Sequence, residues 1–248
     1  MTINDLKNTN PLDLYTNGEF YSLNIVSSDA NLEDYKNFFR KVKKLKFLTI
    51  QENILFELPE GILDHIEGLE RIVFNCKRLQ KLPISWLRKE IHTLNIDCPN
   101  LQELPNGFGE IEHFNILNIK GNIISNLSAL MEKDITVNNL YVELPRLKKL
   151  PSNLSKLDLE RLQIRSEILQ EVDEGILNNN RLTQLTISGT LTKLPDDFRT
   201  LDRLQYLNIH STGSAHFHIP NFLPKSLSNL TIHSVSSKWF GCPNFENL

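Results

Sequence analysis

Residues 45–59 read LKFLTIQENILFELP, and the spacing of their apolar side chains decides the fold. Leu45, Leu48 and Ile50 stand three and then two apart, and Asn53, Leu55, Leu58 and Pro59 follow. That order obeys neither a helical nor a simple strand period and suits a short strand, a tight bend and a return. Such a unit cannot bury its own apolar edge, so it predicts copies of itself stacked against it.

The copies are present. Phe20, Leu23 and Ile25 show the same three-then-two spacing upstream. Downstream, units start at Leu69, Ile91, Phe114, Val137, Leu159, Leu182, Leu204 and Leu227, at intervals of 22 to 24 residues. Many close on a Leu-Pro pair, as at Leu82-Pro83, Leu104-Pro105, Leu150-Pro151 and Leu194-Pro195. One more apolar residue recurs on the returning segment, at Ile62, Trp86, Phe108, Met131, Leu154, Ile176, Phe198 and Phe222. With about 1.5–3 kcal/mol for each large side chain buried, six such residues per unit give adjacent units a strong reason to stack. The expected fold class is α/β, with parallel strands on one face and short helices, 3-10 turns or loops on the other. Ten strands about 4.8 Å apart would run for about 45 Å.

The pattern LxxLxLxxNxLxxLP, met in full by residues 45–59, resembles the leucine-rich-repeat family. The Leu-Pro ending and the period near 23 are similar to the LP-type repeats of intracellular signalling scaffolds, plant intracellular resistance receptors and many bacterial leucine-rich-repeat proteins. The resemblance covers residues 20–234. It implies a solenoid curved into a horseshoe, a parallel β-sheet on the concave face, and a protein-binding module without catalysis. The family's Asn ties the bend of one coil to its neighbour. It stands here at Asn53 and Asn122 but is replaced by Lys77, Pro99, Pro145 and Glu167 elsewhere, so irregular turns and uneven curvature are expected. No catalytic domain is expected after the repeats, unlike the leucine-rich-repeat ubiquitin ligases of bacterial effectors.

A single domain over 1–248 is the expected organisation. Residues 1–44 would cap the start with a strand and an amphipathic helix over 29–44, where Leu32, Tyr35, Phe39 and Val42 fall at helical spacing. Repeats occupy 45–234, and 235–248, with Trp239 and Phe240, would cap the end.

Composition bounds the function. Lys and Arg number 27 against 30 Asp and Glu, a formal net charge of -3, which disfavours a nucleic-acid or membrane partner held by bulk electrostatics. The basic run RKVKKLK at 40–46 reads as the solvated C-terminal end of the predicted helix, where cations favour its dipole. There is no stretch of about 18 apolar residues and no basic-then-apolar leader, so a cytoplasmic chain is expected. Cys76, Cys98 and Cys242 are too few for a disulfide scaffold. Cys76 and Cys98 stand at equivalent places on adjacent units, where a bridge is geometrically conceivable and small buried thiols are the expected state. The sequons at Asn126, Asn153 and Asn229 carry no meaning in such a compartment.

Function in a repeat of this kind falls to the outward residues of the strands. Between the second and third apolar positions they form a neutral polar column that includes Asn24, Asn95, Asn118, Tyr141 and Asn208. In the flanking columns stand Arg71, Asp97, Lys120, Glu143, Arg161, Arg165 and Tyr206. Arginine and aromatic residues most often anchor protein interfaces, so with Tyr141 these form the candidate binding patch for a protein partner on a monomeric chain. The alternative is a solvated face of mixed charge. A second constellation, His210, His216, His218 and His233, raises an enzyme or metal-dependent binder, since His210 and His233 share a column. No hydrolase, metalloprotease, phosphate-loop or dinucleotide motif is present, and no cofactor is expected.

Overall fold

The computed structural model describes residues 19–27, 31–108, 111–213, 217–218, 220–235 and 239–240. It divides into two compact units, Met1–Ile123 and Ile124–Leu248. Each is built from the repeat read in the sequence, and the architecture is a leucine-rich-repeat solenoid.

Unit 1 stacks five parallel strands in chain order: β1 (Glu19–Ser27), β2 (Lys44–Glu52), β3 (Arg71–Cys76), β4 (Thr93–Asp97) and β5 (His113–Lys120). Between β1 and β2 lies the helix α1 (Leu32–Phe39). Unit 2 stacks β6 (Thr136–Glu143), β7 (Leu159–Arg165), β8 (Gln184–Gly189), β9 (Tyr206–Ser211) and β11 (Asn229–Ser234), again parallel and in order. Two short strands, β10 (Phe217–His218) and β12 (Trp239–Phe240), pair with each other. Short 3-10 turns such as Ile84–Trp86, Leu154–Leu157 and Glu174–Asn178 fill the returning segments.

The register is that of the apolar trios. Leu48 lies beside Ile72, Ile72 beside Leu94 and Leu94 beside Leu117, while Ile50, Phe74, Ile96 and Ile119 form the next row. From β2 to β9 every residue of these trios is buried. On β11 the same positions, Leu230 and Ile232, are half-buried. The leucines before the prolines, including Leu58, Leu104 and Leu194, close the floor as expected.

The returning segment departs from the expected pattern at its two ends. Trp86, Phe108, Met131, Leu154, Ile176 and Phe198 are buried, but Ile62 is half-buried and Phe222 exposed. Leu63 and Leu223, each one residue later, take the core position instead. Trp86 is the largest group inside unit 1. Its ring stacks on Phe74 at 5.8 Å and meets Phe39 edge-on at 6.0 Å, and its Nε1 donates to the Pro59 carbonyl at 3.0 Å.

Helix α1 is shorter than the predicted 29–44. Asn31 caps it, accepting from the backbone of Glu33 and Asp34 while Asp34 returns a bond to the Asn31 N–H, a capping box. It tightens after Phe39, where Lys41 and Val42 donate three residues back, and β2 has begun by Lys44. The basic run is therefore split. Arg40 ends the helix, while Lys46 lies in β2, 3.3 Å from Glu70 and above the rings of Tyr21 and Phe47. Of the expected terminal caps, residues 1–18 and 241–248 lie outside the described residues.

The bend is tied differently from the family motif. Asn53 and Asn122 are exposed. The buried position is the residue before, which adds a fourth inward place to each strand: Glu52, Cys76, Cys98, Gly121, Leu144, Ser166, Gly189 and Ser211. Where that residue is polar it closes the coil. Ser166 Oγ donates to the Leu147 carbonyl at 2.7 Å, and Ser211 Oγ to the Leu191 carbonyl at 2.8 Å. The Cys76 thiol points at the Ile50 carbonyl and the Cys98 thiol at that of Phe74, and both cysteines are free. The neighbouring Cys98 thiol and burial push the Cys76 thiol well above the ordinary range, so it is inert. Gly189 fits because a Cβ there would lie 2.5 Å from the Leu169 carbonyl oxygen.

Glu52 is the exceptional member of this row, a fully buried carboxylate. Its Oε1 accepts from the backbone N–H of Ile54 (2.6 Å) and Leu55 (3.2 Å), and its Oε2 from the Tyr35 hydroxyl at 3.0 Å. Burial, then Glu52, raises the Tyr35 pKa well above the usual phenol value and keeps the hydroxyl a donor. One side chain thus turns the chain after β2 and fastens α1 to that coil.

Candidate functional site

Strand alternation aims Arg71, Asp97 and Lys120 outward in unit 1, and Tyr141, Glu143, Arg161, Arg165 and Tyr206 outward in unit 2. The register sorts them into rows rather than one cluster. In unit 1, Asp97 lies beside Lys120 and beside Asn75. Arg71 belongs to another row, with Phe47, Thr93 and Ile116. The two rows are four residues apart along the strand, about 13 Å, so Arg71 does not join the other two.

In unit 2 one row runs Asn139, Arg161, Gln184, Tyr206, Asn229, and a second runs Glu143, Arg165, Ser188, His210, His233. Between them lies a neutral row of Tyr141, Gln163, Thr186, Asn208 and Thr231. Arg161 and Arg165 sit on one strand about 13 Å apart along it, one in each outer row. Tyr206 is two strands from Arg161 and 44% exposed.

His210 and His233 are neighbours, as their shared column predicts, with ring centroids 4.6 Å apart and planes inclined by only 21°. Imidazole lone pairs lie in the ring plane, so two nearly parallel stacked rings do not converge on one ion. Among the described residues no group of three or more metal-ligating side chains is assembled. His216 lies outside the described residues, and His218 is described only as a strand residue opposite Phe240. Burial first, then the charges of His233 and Arg165, lowers the His210 pKa below the usual imidazole value.

Two open hollows lie on this face. One, of about 280 Å³, is lined by Gln163, Arg165, Thr186, Ser188, Asn208 and His210, together with the backbone around Ile164. The other, of about 310 Å³, lies between Tyr206, Asn208, Asn229 and Thr231 with Gln184 and Thr186. Thr186 and Asn208 line both, and the Asn208 Oδ1 is buried with no hydrogen-bond partner. Sequence reasoning placed Asn208 in a uniform polar row and did not distinguish it. Its signal was present, since it stands two residues from both Tyr206 and His210.

Among the described residues no helix is long and apolar enough to cross a membrane. No protein-family model matches the chain. In an alignment of 228 residues that covers 83% of the chain, it is 29% identical to Toll-like receptor 8 of Homo sapiens. The match covers 20% of that receptor, so the chain spans about a fifth of the relative's length. Parallel strands repeating one inward pattern and this likeness agree on the same fold, the leucine-rich-repeat solenoid.

Proposed function

We propose that the chain is a non-catalytic binding module that engages a protein partner through the outward residues of its parallel strands. The carrying observation is the pair Arg161 and Arg165, exposed on β7 and without an ion pair among the described residues, with the exposed ring of Tyr206 two strands from Arg161. Several other surface cations are paired: Arg181 meets Asp158 at 2.8 Å, Arg199 meets Asp197 at 2.6 Å, and Lys46 meets Glu70. Unmatched arginines and an uncovered aromatic on a rigid sheet are the composition of interface anchors. Likeness to a protein named as a receptor supports the reading. Its LP-type repeats and cytoplasmic setting are part of the same proposal.

The test is affinity capture from native cell lysate with the full chain and with the variant carrying Arg161→Glu and Arg165→Glu. Both side chains are exposed, so the variant keeps its circular dichroism and loses the partner. Capture of the same partner by the folded variant refutes the reading.

A further inference from the structure

The hollow between Arg165 and the stacked histidines has a chemistry of its own. Across β7, β8, β9 and β11 the row reads Arg165, Ser188, His210, His233, so a guanidinium fork faces an imidazole pair with a hydroxyl between them. Strands about 4.8 Å apart put Arg165 and His210 backbones about 10 Å apart, a gap that two inclined side chains span around one small planar anion. The other lining side chains, Gln163, Thr186 and Asn208, are neutral amides and a hydroxyl, and no carboxylate lines the hollow. Glu143, beside Arg165 on β6, is the nearest acid in the row and stands on the other side of β7 from Ser188.

We propose that this hollow is a carboxylate seat that takes an acidic side chain of a partner polypeptide. The proposal rests on the protein-binding reading above and names the partner's chemistry. Arg165 presents paired N–H donors to both oxygens of the carboxylate, Ser188 donates from below, and His210 donates from the opposite wall. Gln163, Thr186 and Asn208, which line the same hollow, offer neutral amide and hydroxyl groups to the backbone of the segment that carries the acidic side chain.

The seat is acid-strengthened. The groups facing His210 from the packed strands are Gln184, Thr186 and Ser188 on β8 and Asn229, Thr231 and His233 on β11, with Arg165 beyond β8. In the empty seat only cations and burial act on its ring, and they oppose protonation. A bound carboxylate reverses that balance, so binding takes up a proton and tightens as pH falls.

The experiment uses the full chain and a fluorescein-labelled peptide, Gly-Asp-Glu-Asp-Gly with an amidated C-terminus, read by fluorescence anisotropy. Its neutral counterpart, Gly-Asn-Gln-Asn-Gly, inorganic phosphate and a short oligothymidylate serve as comparison arms. The acidic peptide is expected to bind about fivefold tighter near pH 6 than near pH 7.5. Arg165→Gln weakens it about tenfold, and Arg165→Lys, which keeps the charge but not the fork, loses part of that. His210→Gln with His233→Gln removes the pH dependence. Equal binding of the neutral peptide, an unchanged Arg165→Gln, or tighter binding of phosphate or oligothymidylate than of the peptide overturns the carboxylate assignment. A partner captured by the wild-type chain with no peptide binding sinks the seat alone. Peptide binding with no partner captured supports the seat and counts against the module.

Discussion

Breaking the Glu52 carboxylate out of unit 1 tests the claim that one buried side chain both turns the chain after β2 and fastens α1. Glu52→Ala orphans three donors. Tyr35 is fully buried, so its hydroxyl finds no water and loses about 1–3 kcal/mol. The N–H groups of Ile54 and Leu55 lie on an exposed or half-buried turn and recover part of their loss from solvent, about 1 kcal/mol each. The total, about 3–5 kcal/mol, is that of breaking a buried polar network. Tyr35→Phe removes one donor and leaves the carboxylate two, at about 1.5–2 kcal/mol. The double variant should be less damaged than the sum, with a coupling of about 1–2 kcal/mol. The assay is urea unfolding followed by the fluorescence of Trp86, the tryptophan of unit 1, in a Trp239→Phe background. With a slope of about 2 kcal/mol per molar, Glu52→Ala shifts the midpoint by about 2 M. A shift below about 0.5 M, or a coupling within about 0.3 kcal/mol of zero, refutes the reasoning.

Acid should destabilise unit 2. The folded-state pKa of His210 is lowered, so below about pH 6.5 the unfolded chain binds more protons than the folded one. Stability is therefore present above that pH and falls as the pH drops, and His210→Gln should flatten the fall in a urea titration run from neutral to mildly acidic pH. Ser211→Ala should cost about 1–2 kcal/mol, since the Leu191 carbonyl loses its donor inside the coil; a midpoint matching wild type contradicts the tie. Gly189→Ala, which sets a methyl against the Leu169 carbonyl, should cost about 1–3 kcal/mol by thermal unfolding. Cys76 and Cys98 should resist iodoacetamide in the native protein and react after unfolding, as read by peptide mass spectrometry; native labelling contradicts their burial.

The leucine trios made the strands and their register legible, because a side chain that must be apolar in every coil leaves a period that survives poor local wording. The fourth inward row left none. Its members are Glu, Cys, Gly, Leu and Ser, chosen for volume or for a bond to a neighbouring coil, so no hydropathy pattern marks it. The family motif then drew the eye one residue too far, to Asn53. Likewise Ile62 and Phe222 carried the right period, yet the backbone turned Leu63 and Leu223 inward. At the candidate site the columns were readable, but a single patch was not what they made. Arg161 and Arg165 share a strand and therefore fall into separate rows, and the strand pairing keeps the column that set Arg165 level with Ser188 and His210.

That fourth row has a consequence for how the chain finds its own register. Coils with identical leucines are nearly interchangeable, and a chain of them risks closing with one coil skipped or counted twice. Here the plugs range from glycine to glutamate, and most neighbouring coils carry different ones. A slip that pushed the Leu144 side chain into the slot of Gly189 would drive it against the Leu169 backbone, and one that moved Glu52 away from Tyr35 would strand a carboxylate in the core. Where neighbouring plugs differ, a slipped coil meets a misfit, so those coils hold the count.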